Sequence, residues 1–201
     1  MNILIDSLPK AIKAGGKKYP IETDFRAGIA FEMMLEKGEK NILNILEVFF
    51  PNGVPISKIE DLDAILEGVI LFYRCGAKIK KNGIPTQTKQ PYSFNDDSAV
   101  IFADFWNYYN IDLSQEGLHW WAFRSLLDGL PDESEFKQRI YYRTCDTKGL
   151  SKKEKERILK IRSKIEIKNT LREEMTLEER NKKMLDYVAN RRKQTGGGDN
   201  G

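Results

Sequence analysis

The chain has 201 residues, enough for one ordinary domain with an appendage or for two small domains. Its composition, with 40% hydrophobic and 31% charged residues, excludes a fibrous or wholly disordered chain. The formal net charge of +3 is unevenly distributed: residues 1–147 carry 17 basic and 21 acidic residues, whereas residues 148–201 carry 16 basic and 9 acidic. No apolar run approaches the ~20 residues needed to cross a bilayer, and the N-terminus lacks a signal-peptide pattern, so we expect neither membrane contact nor export.

The first predicted element is a β-hairpin within residues 8–22. Gly15 and Gly16 lie at its centre, and two glycines supply the positive φ angles of a tight turn. Because a lone hairpin is marginally stable in water, we expect it to pack on the helices that follow.

Three helices are predicted next along the chain. Thr23 or Asp24 can cap the first, which Gly38 ends. The second spans residues 41–50 and stops at the breaker sequence PNGVP. The third spans residues 58–75 and opens with the capping box S-x-x-E of residues 57–60. Its wide apolar face is typical of a central helix, and the Lys-, Gly- and Pro-containing residues 77–93 after it indicate an exposed loop.

A strongly aromatic helix follows, with Asn95 as its predicted cap and the acidic Asp96 and Asp97 in its first turn, where they complement the helix dipole. Ser114 is predicted to cap the next helix, which Gly129 ends, and residues 132–143 form a further one.

The helix beginning LHWWAFRSLLDGLP is apolar around most of its circumference. This pattern predicts a helix packed by neighbours on several sides, because a surface helix has one wide polar face. Its core residues are expected to be Leu118, Trp120, Trp121, Phe123, Leu126, Leu127 and Leu130.

We find no pattern of residues that indicates catalysis, and predict that the protein is not an enzyme. His119, the only histidine, lacks a nucleophile and an orienting carboxylate at fixed spacing, so we interpret it as a structural polar group at a helix start. Cys75 and Cys145 lie 70 residues apart without the spacing of a zinc site, and are expected to be reduced thiols. No catalytic, cofactor-binding or metal-binding residues, and no cofactor, are therefore assigned.

Residues 148–193 are predicted to form a basic, amphipathic helical extension. Capping boxes open two helices at Ser151–Glu154 and Thr176–Glu179. A narrow apolar stripe runs along both and is the predicted partner-binding surface: Ile158, Leu159, Ile161, Ile165, Leu177, Met184, Leu185 and Val188. Because Glu alternates with Lys and Arg, the pattern favours a solvated face over a phosphate-binding one, although nucleic-acid binding stays an alternative.

The predicted fold class is mainly α, with seven to eight helices in a compact domain, a short N-terminal hairpin and the charged helical extension. The domain boundaries are residues 1–147 for the core, 148–193 for the extension and 194–201 for a disordered tail of TGGGDNG composition.

Four stretches, in this order, resemble the bacteriophage "Gp-fifteen" family of long-tailed phages that infect low-GC Gram-positive bacteria: TDFRAGIAFEMML (23–35), ILFYRCG (70–76), YSFNDDSAVIFADFWNYYNIDL (92–113) and LHWWAFRSLLDGLPDESEFKQRIYYRTCD (118–146). The most specific motif is L-H-W-W-x-F followed by G-L-P and Y-R-x-x-D. The resemblance covers roughly residues 8–165 and brings no catalytic residues.

Such proteins are typically encoded between the major tail protein and the tape-measure protein. The resemblance therefore implies a tail assembly chaperone of the host cytoplasm, absent from the mature virion, that binds the tape-measure protein while the tail tube assembles. Further candidate partners are a second tail assembly chaperone, the major tail protein and another copy of the chain. The alternatives are a minor structural tail component of the virion or a nucleic-acid-binding accessory protein.

Overall fold

A computed structural model describes residues 2–56, 59–77 and 90–168. These residues confirm the mainly α fold class with an N-terminal hairpin. Within them lie two strands and seven helices: β1 Ala11–Ala14, β2 Lys17–Pro20, α1 Phe25–Glu36, α2 Ile42–Glu47, α3 Ile59–Tyr73, α4 Ser98–Tyr109, α5 Trp120–Asp128, α6 Glu135–Thr144 and α7 Lys152–Lys164. The predicted helix and tail beyond residue 175, the loop residues 78–89 and the capping residue at position 57 lie outside the described residues.

The predicted hairpin is confirmed, since β1 and β2 pair antiparallel with Ile12 opposite Tyr19. Gly15 and Gly16 have φ angles of 54° and 77°, which side chains other than that of glycine rarely permit. β1 packs against α3, and Ile12 is buried there. A Cβ atom at Gly68 on α3 would stand 3.1 Å from Cδ1 of Ile12, so the glycine leaves room for this side chain.

Two helix starts cross where α1 and α5 meet. The side chain of Asp24 caps α1 by accepting a hydrogen bond from the backbone N–H of Arg26 at 2.9 Å, which confirms one of the two predicted caps. The backbone N–H of Phe25 donates to the carbonyl of Leu118, and that of Trp120 donates to the carbonyl of Thr23. These hydrogen bonds fix the start of α5 against the start of α1.

The core lies between α1, α3, α4 and α5. α3 contributes Ile65, Leu66 and Val69, which are fully buried. Of the residues named in the opening helix, Trp120, Trp121, Phe123, Leu127 and Leu130 are buried, and Leu118 and Leu126 are half-buried against the same core. Phe123 stacks on both Phe25 and Phe105, with ring centroids 4.7 and 5.1 Å apart, so α5 joins α1 to α4.

Two predicted caps are wrong. α4 begins at Ser98, so Asp97 and not Asn95 holds the N-cap position, and its carboxylate makes no capping bond because two arginines bind it instead. Asp96 and Asp97 accordingly precede the helix. α5 begins at Trp120 with His119 as its cap, whereas Ser114 lies in an earlier turn and donates to Asp112 at 2.6 Å.

α6 and α7 pack against each other after a short connection. The predicted capping box of α7 is confirmed, because the side chains of Ser151 and Glu154 each accept from the other's backbone N–H. Arg162 on α7 donates to the carbonyl of Tyr142 on α6 at 2.8 Å. The domain boundary at residue 147 stays a prediction.

Candidate partner-binding surface

Both ring nitrogens of His119 lie within hydrogen-bond distance of backbone atoms. Nε2 lies 2.9 Å from the carbonyl oxygen of Pro9, and Nδ1 lies 3.1 Å from the backbone nitrogen of Trp121. A carbonyl oxygen only accepts and a backbone N–H only donates, so Nε2 carries the proton and Nδ1 is the acceptor. The imidazole therefore joins the chain two residues before β1 to the N-terminus of α5, in agreement with its interpretation as a polar group at a helix start.

The two adjacent tryptophans donate hydrogen bonds to backbone carbonyls at the C-terminal end of α3. The indole N–H of Trp120 donates to the carbonyl of Tyr73, and that of Trp121 donates to the carbonyl of Phe72, both at 2.8 Å. The last carbonyls of a helix have no partner within it, and burial without one is costly. The indoles thus complete α3 from a neighbouring helix.

Glu32 and Glu36 are buried on α1, where carboxylates need partners. The hydroxyl of Tyr73 donates to Glu32 at 2.5 Å. Burial raises the pKa of Tyr73 well above its ordinary value, and the nearby carboxylate of Glu32 raises it further. Glu36 accepts from the side chains of Gln90 at 2.7 Å and Ser93 at 3.0 Å. These bonds tie the chain before α4 to α1.

A buried ion pair links the start of α4 to α6. Asp97, whose side chain is 0% exposed, accepts from Arg143 at 2.6 and 2.8 Å and from Arg139 at 3.1 Å. Burial alone would raise the pKa of Asp97, but hydrogen bonds from Arg143 and from the backbone N–H of Ser93 lower it below its usual value. Arg143 also donates to the carbonyl of Ile165, so the same cluster holds the residue that follows α7.

Each of these side chains is hydrogen-bonded to a residue from another part of the chain, so together they connect the elements of the fold. In the part of the chain that the structure describes, no three His, Cys, Asp or Glu residues are placed to hold a metal ion.

Burial raises the pKa of the Cys75 thiol to about 11, with Arg124 lowering it and Asp128 raising it to smaller extents, so little of the reactive thiolate forms near neutral pH. Among the described helices none is long and apolar enough to span a bilayer.

The outer side of α4 is the exposed apolar surface that sequence analysis missed. Phe102 is 39% exposed and Trp106 49% exposed. Ala99 and Ala103 are exposed on the same side, since the four positions are spaced i, i+3, i+4 and i+7. We call these four residues the α4 face. The sequence signal was present: α4 has five aromatic residues in 12, and only Phe105 of the five is fully buried.

The predicted apolar stripe of the extension is described only as far as α7. Ile158, Ile161 and Ile165 are half-buried and share their side of the helix with Arg162, which contacts α6. Leu159 lies off that side and is 45% exposed. Leu177, Met184, Leu185 and Val188 lie outside the described residues. The structure therefore describes four of the eight stripe residues. Three of these four are half-buried, and Leu159 is exposed to solvent.

The fold defines a mainly α protein with an aromatic core, a two-stranded hairpin and an exposed apolar helix face. Comparison with known protein families gives a match over residues 4–167 to the family described as Bacteriophage Gp15 protein. Because the match covers most of the chain, the protein belongs to this family and is a phage protein. Neither the curated proteins nor the solved structures gave a match.

Proposed function

We propose that this phage protein is a tail assembly chaperone: a non-enzymatic protein of the host cytoplasm that binds the tape-measure protein and assists tail tube assembly. The observation that carries the proposal is the α4 face, an apolar helix surface left exposed on a protein of a phage family. Exposed apolar surface on one side of a helix is typical of sites that bind other polypeptides.

The α4 face suits a helical partner. Its spacing of i, i+3, i+4 and i+7 is the pattern by which one amphipathic helix packs on another. Trp106 and Phe102 are the residue types that contribute most to such contacts, and the small Ala99 and Ala103 beside them let a second helix approach closely. Tape-measure proteins are long and largely helical, so many weak contacts of this kind add up along one chain.

A co-expression experiment tests the proposal. The tape-measure protein encoded by the same phage is produced with the full chain, with Trp106→Glu or with Leu43→Glu, and its soluble fraction is measured. Leu43 on α2 is 41% exposed, close to the exposure of Trp106, so its substitution is a matched control for adding a charge to exposed apolar surface.

We expect the full chain and Leu43→Glu to keep the tape-measure protein soluble, and Trp106→Glu to leave it in the pellet. Equal solubility with and without the unsubstituted chain would overturn the proposal. Mass spectrometry of purified particles of the same phage distinguishes a chaperone from a minor structural tail component. A chaperone is expected to be absent from the particles, and stoichiometric recovery of the protein would favour the structural component.

A further inference from the structure

The position of Lys168 places the end of the described chain beside the start of α4. Its backbone N–H donates to a carboxylate oxygen of Asp96 at 2.7 Å, only two residues before Ser98, where α4 begins. Arg143 holds Ile165 three residues earlier. The chain that continues to residue 201 therefore departs next to the N-terminal end of α4.

We infer that the C-terminal segment of residues 177–188 packs along the α4 face of its own chain. The sequence predicts a helix there with the apolar residues Leu177, Met184, Leu185 and Val188 on one side. This is a contact within the isolated protein, and it goes beyond the proposed function because it forms without the tape-measure protein, which displaces the segment when it binds the same face.

The lengths agree. α4 has 12 residues, which corresponds to about 18 Å, and residues 177–188 as a helix have the same length. Between Lys168 and Leu177 lie residues 169–176, which span up to ~26 Å when extended. The connection is thus long enough for the segment to reach either end of α4, and short enough to hold it at an effective concentration of order millimolar.

Acidic residues flank α4, and basic residues follow the segment. Residues 95–112, which contain α4, carry four acidic and no basic residues. Asp97 and Asp104 are buried with partners, and Asp96 and Asp112 are half-buried near the two ends of the helix. Residues 177–188 carry three basic and three acidic residues, and residues 189–193, which follow them, carry three basic residues and no acidic one. The basic residues after the segment therefore complement an acidic residue at an end of α4, an arrangement that fixes specificity more than affinity.

Trp106 makes the contact measurable, because Trp120 and Trp121 are buried and only Trp106 among the three tryptophans is half-exposed. Acrylamide quenching and the emission maximum are compared for the full chain and for Leu185→Asp, which places a charge in the apolar side of the segment. The matched control is Asn190→Asp, which adds the same charge about 140° around the predicted helix from Leu185. Each substitution is repeated with Trp106→Phe so that the signal of Trp106 is obtained by difference.

We expect Leu185→Asp to shift the emission of Trp106 to longer wavelength and to increase its quenching, and Asn190→Asp to change neither. Identical quenching of Trp106 in all three chains would overturn the inference. A signal of the full chain that changes with protein concentration would also overturn it, by showing that a second copy covers the face. The quenching experiment contains no tape-measure protein, so a negative result in it does not contradict the proposed function. A negative result of the co-expression experiment likewise does not contradict this contact.

Discussion

The indole N–H of Trp120 donates to the backbone carbonyl of Tyr73 at 2.8 Å, so a side chain at the start of α5 completes the end of α3. The rings of the same two residues stack, with centroids 5.3 Å apart and planes within 17° of parallel. Tyr73 in turn donates its hydroxyl to Glu32 on α1. One aromatic pair thereby connects three helices, and most of the expected behaviour of this protein follows from such shared contacts.

Trp120→Phe is expected to destabilise the protein. The smaller ring removes the indole donor and leaves the carbonyl of Tyr73 with only the weak thiol donor of Cys75 at 4.0 Å, which costs about 1–3 kcal/mol, in addition to the cavity it opens. Urea unfolding measures the loss. Trp106→Phe is the matched control on the half-exposed face of α4, where the same change of side chain opens no cavity in the core and is expected to lower the free energy of unfolding by less than Trp120→Phe does. Equal effects of the two substitutions would show that the indole bond is unimportant.

Gly28→Ala is expected to destabilise through overpacking between α1 and α5. A Cβ atom at Gly28 would stand 2.3 Å from Cε3 of Trp120, a separation that requires the ring or the helix to move. Such strain typically costs about 1–3 kcal/mol, although alanine alone would favour the helix. Gly117→Ala serves as control, because its nearest neighbour is a carboxylate oxygen of Asp24 at 3.6 Å. Thermal unfolding of both variants checks the prediction, which an unchanged midpoint for Gly28→Ala would contradict.

His119→Ala is expected to cost about 1 kcal/mol, since it removes the N-cap of α5. His119→Asn keeps a side-chain acceptor at the cap but does not reach Pro9, so it is expected to recover part of the loss. Tape-measure solubility in co-expression should be the same for both variants, provided that they are folded at the temperature used. A loss of that activity in folded His119→Asn would instead indicate a functional role for the imidazole.

The sequence predicts most of this fold because its signals are local. Gly15 and Gly16 require a turn, Ser151 and Glu154 form a capping box with fixed spacing, and each is found where the pattern places it. The wrong caps have a different origin. Asp97 has a capping residue type at a helix start, but its carboxylate binds Arg143, 46 residues further along the chain. No local pattern contains such a partner.

The candidate surface was harder to predict for a related reason. The five aromatic residues of α4 form one broad apolar side, and sequence periodicity alone does not show how much of such a side the neighbouring helices cover. Phe105 lies in the core against Phe123, whereas Trp106, the next residue, faces solvent. Only the number and position of the neighbouring helices decide which of the two is buried.

Cys75 is expected to react slowly with thiol reagents at neutral pH, because burial raises its pKa to about 11 and the thiolate is the reactive form. In the Cys145→Ser chain the remaining thiol can be followed alone with iodoacetamide between pH 7 and pH 10. The rate should rise with pH without reaching a plateau in this range. The same chain in urea provides the reference, where the thiol should react with the ordinary cysteine pKa of about 8.5. A plateau below pH 9 in the folded protein would contradict the prediction.

Asp97→Asn is expected to cost roughly 3–5 kcal/mol in the free energy of unfolding, because it leaves Arg143 buried without its carboxylate. The pKa of Asp97 is lowered in the folded protein by its arginine and backbone hydrogen bonds, despite the opposing effect of burial. The pair therefore stabilises fully above the unfolded pKa of about 3.9, and this contribution is lost as pH falls through the lower folded pKa.

The measurement is urea unfolding of both chains from pH 7 down to pH 3. Their difference should be constant at the upper end and shrink below about pH 4. Asp132→Asn, at an exposed aspartate before α6, is the control and should differ little from the unsubstituted chain at neutral pH. A difference between the unsubstituted chain and Asp97→Asn that grows as pH falls would mean that the carboxyl group of Asp97 is already protonated in the folded protein.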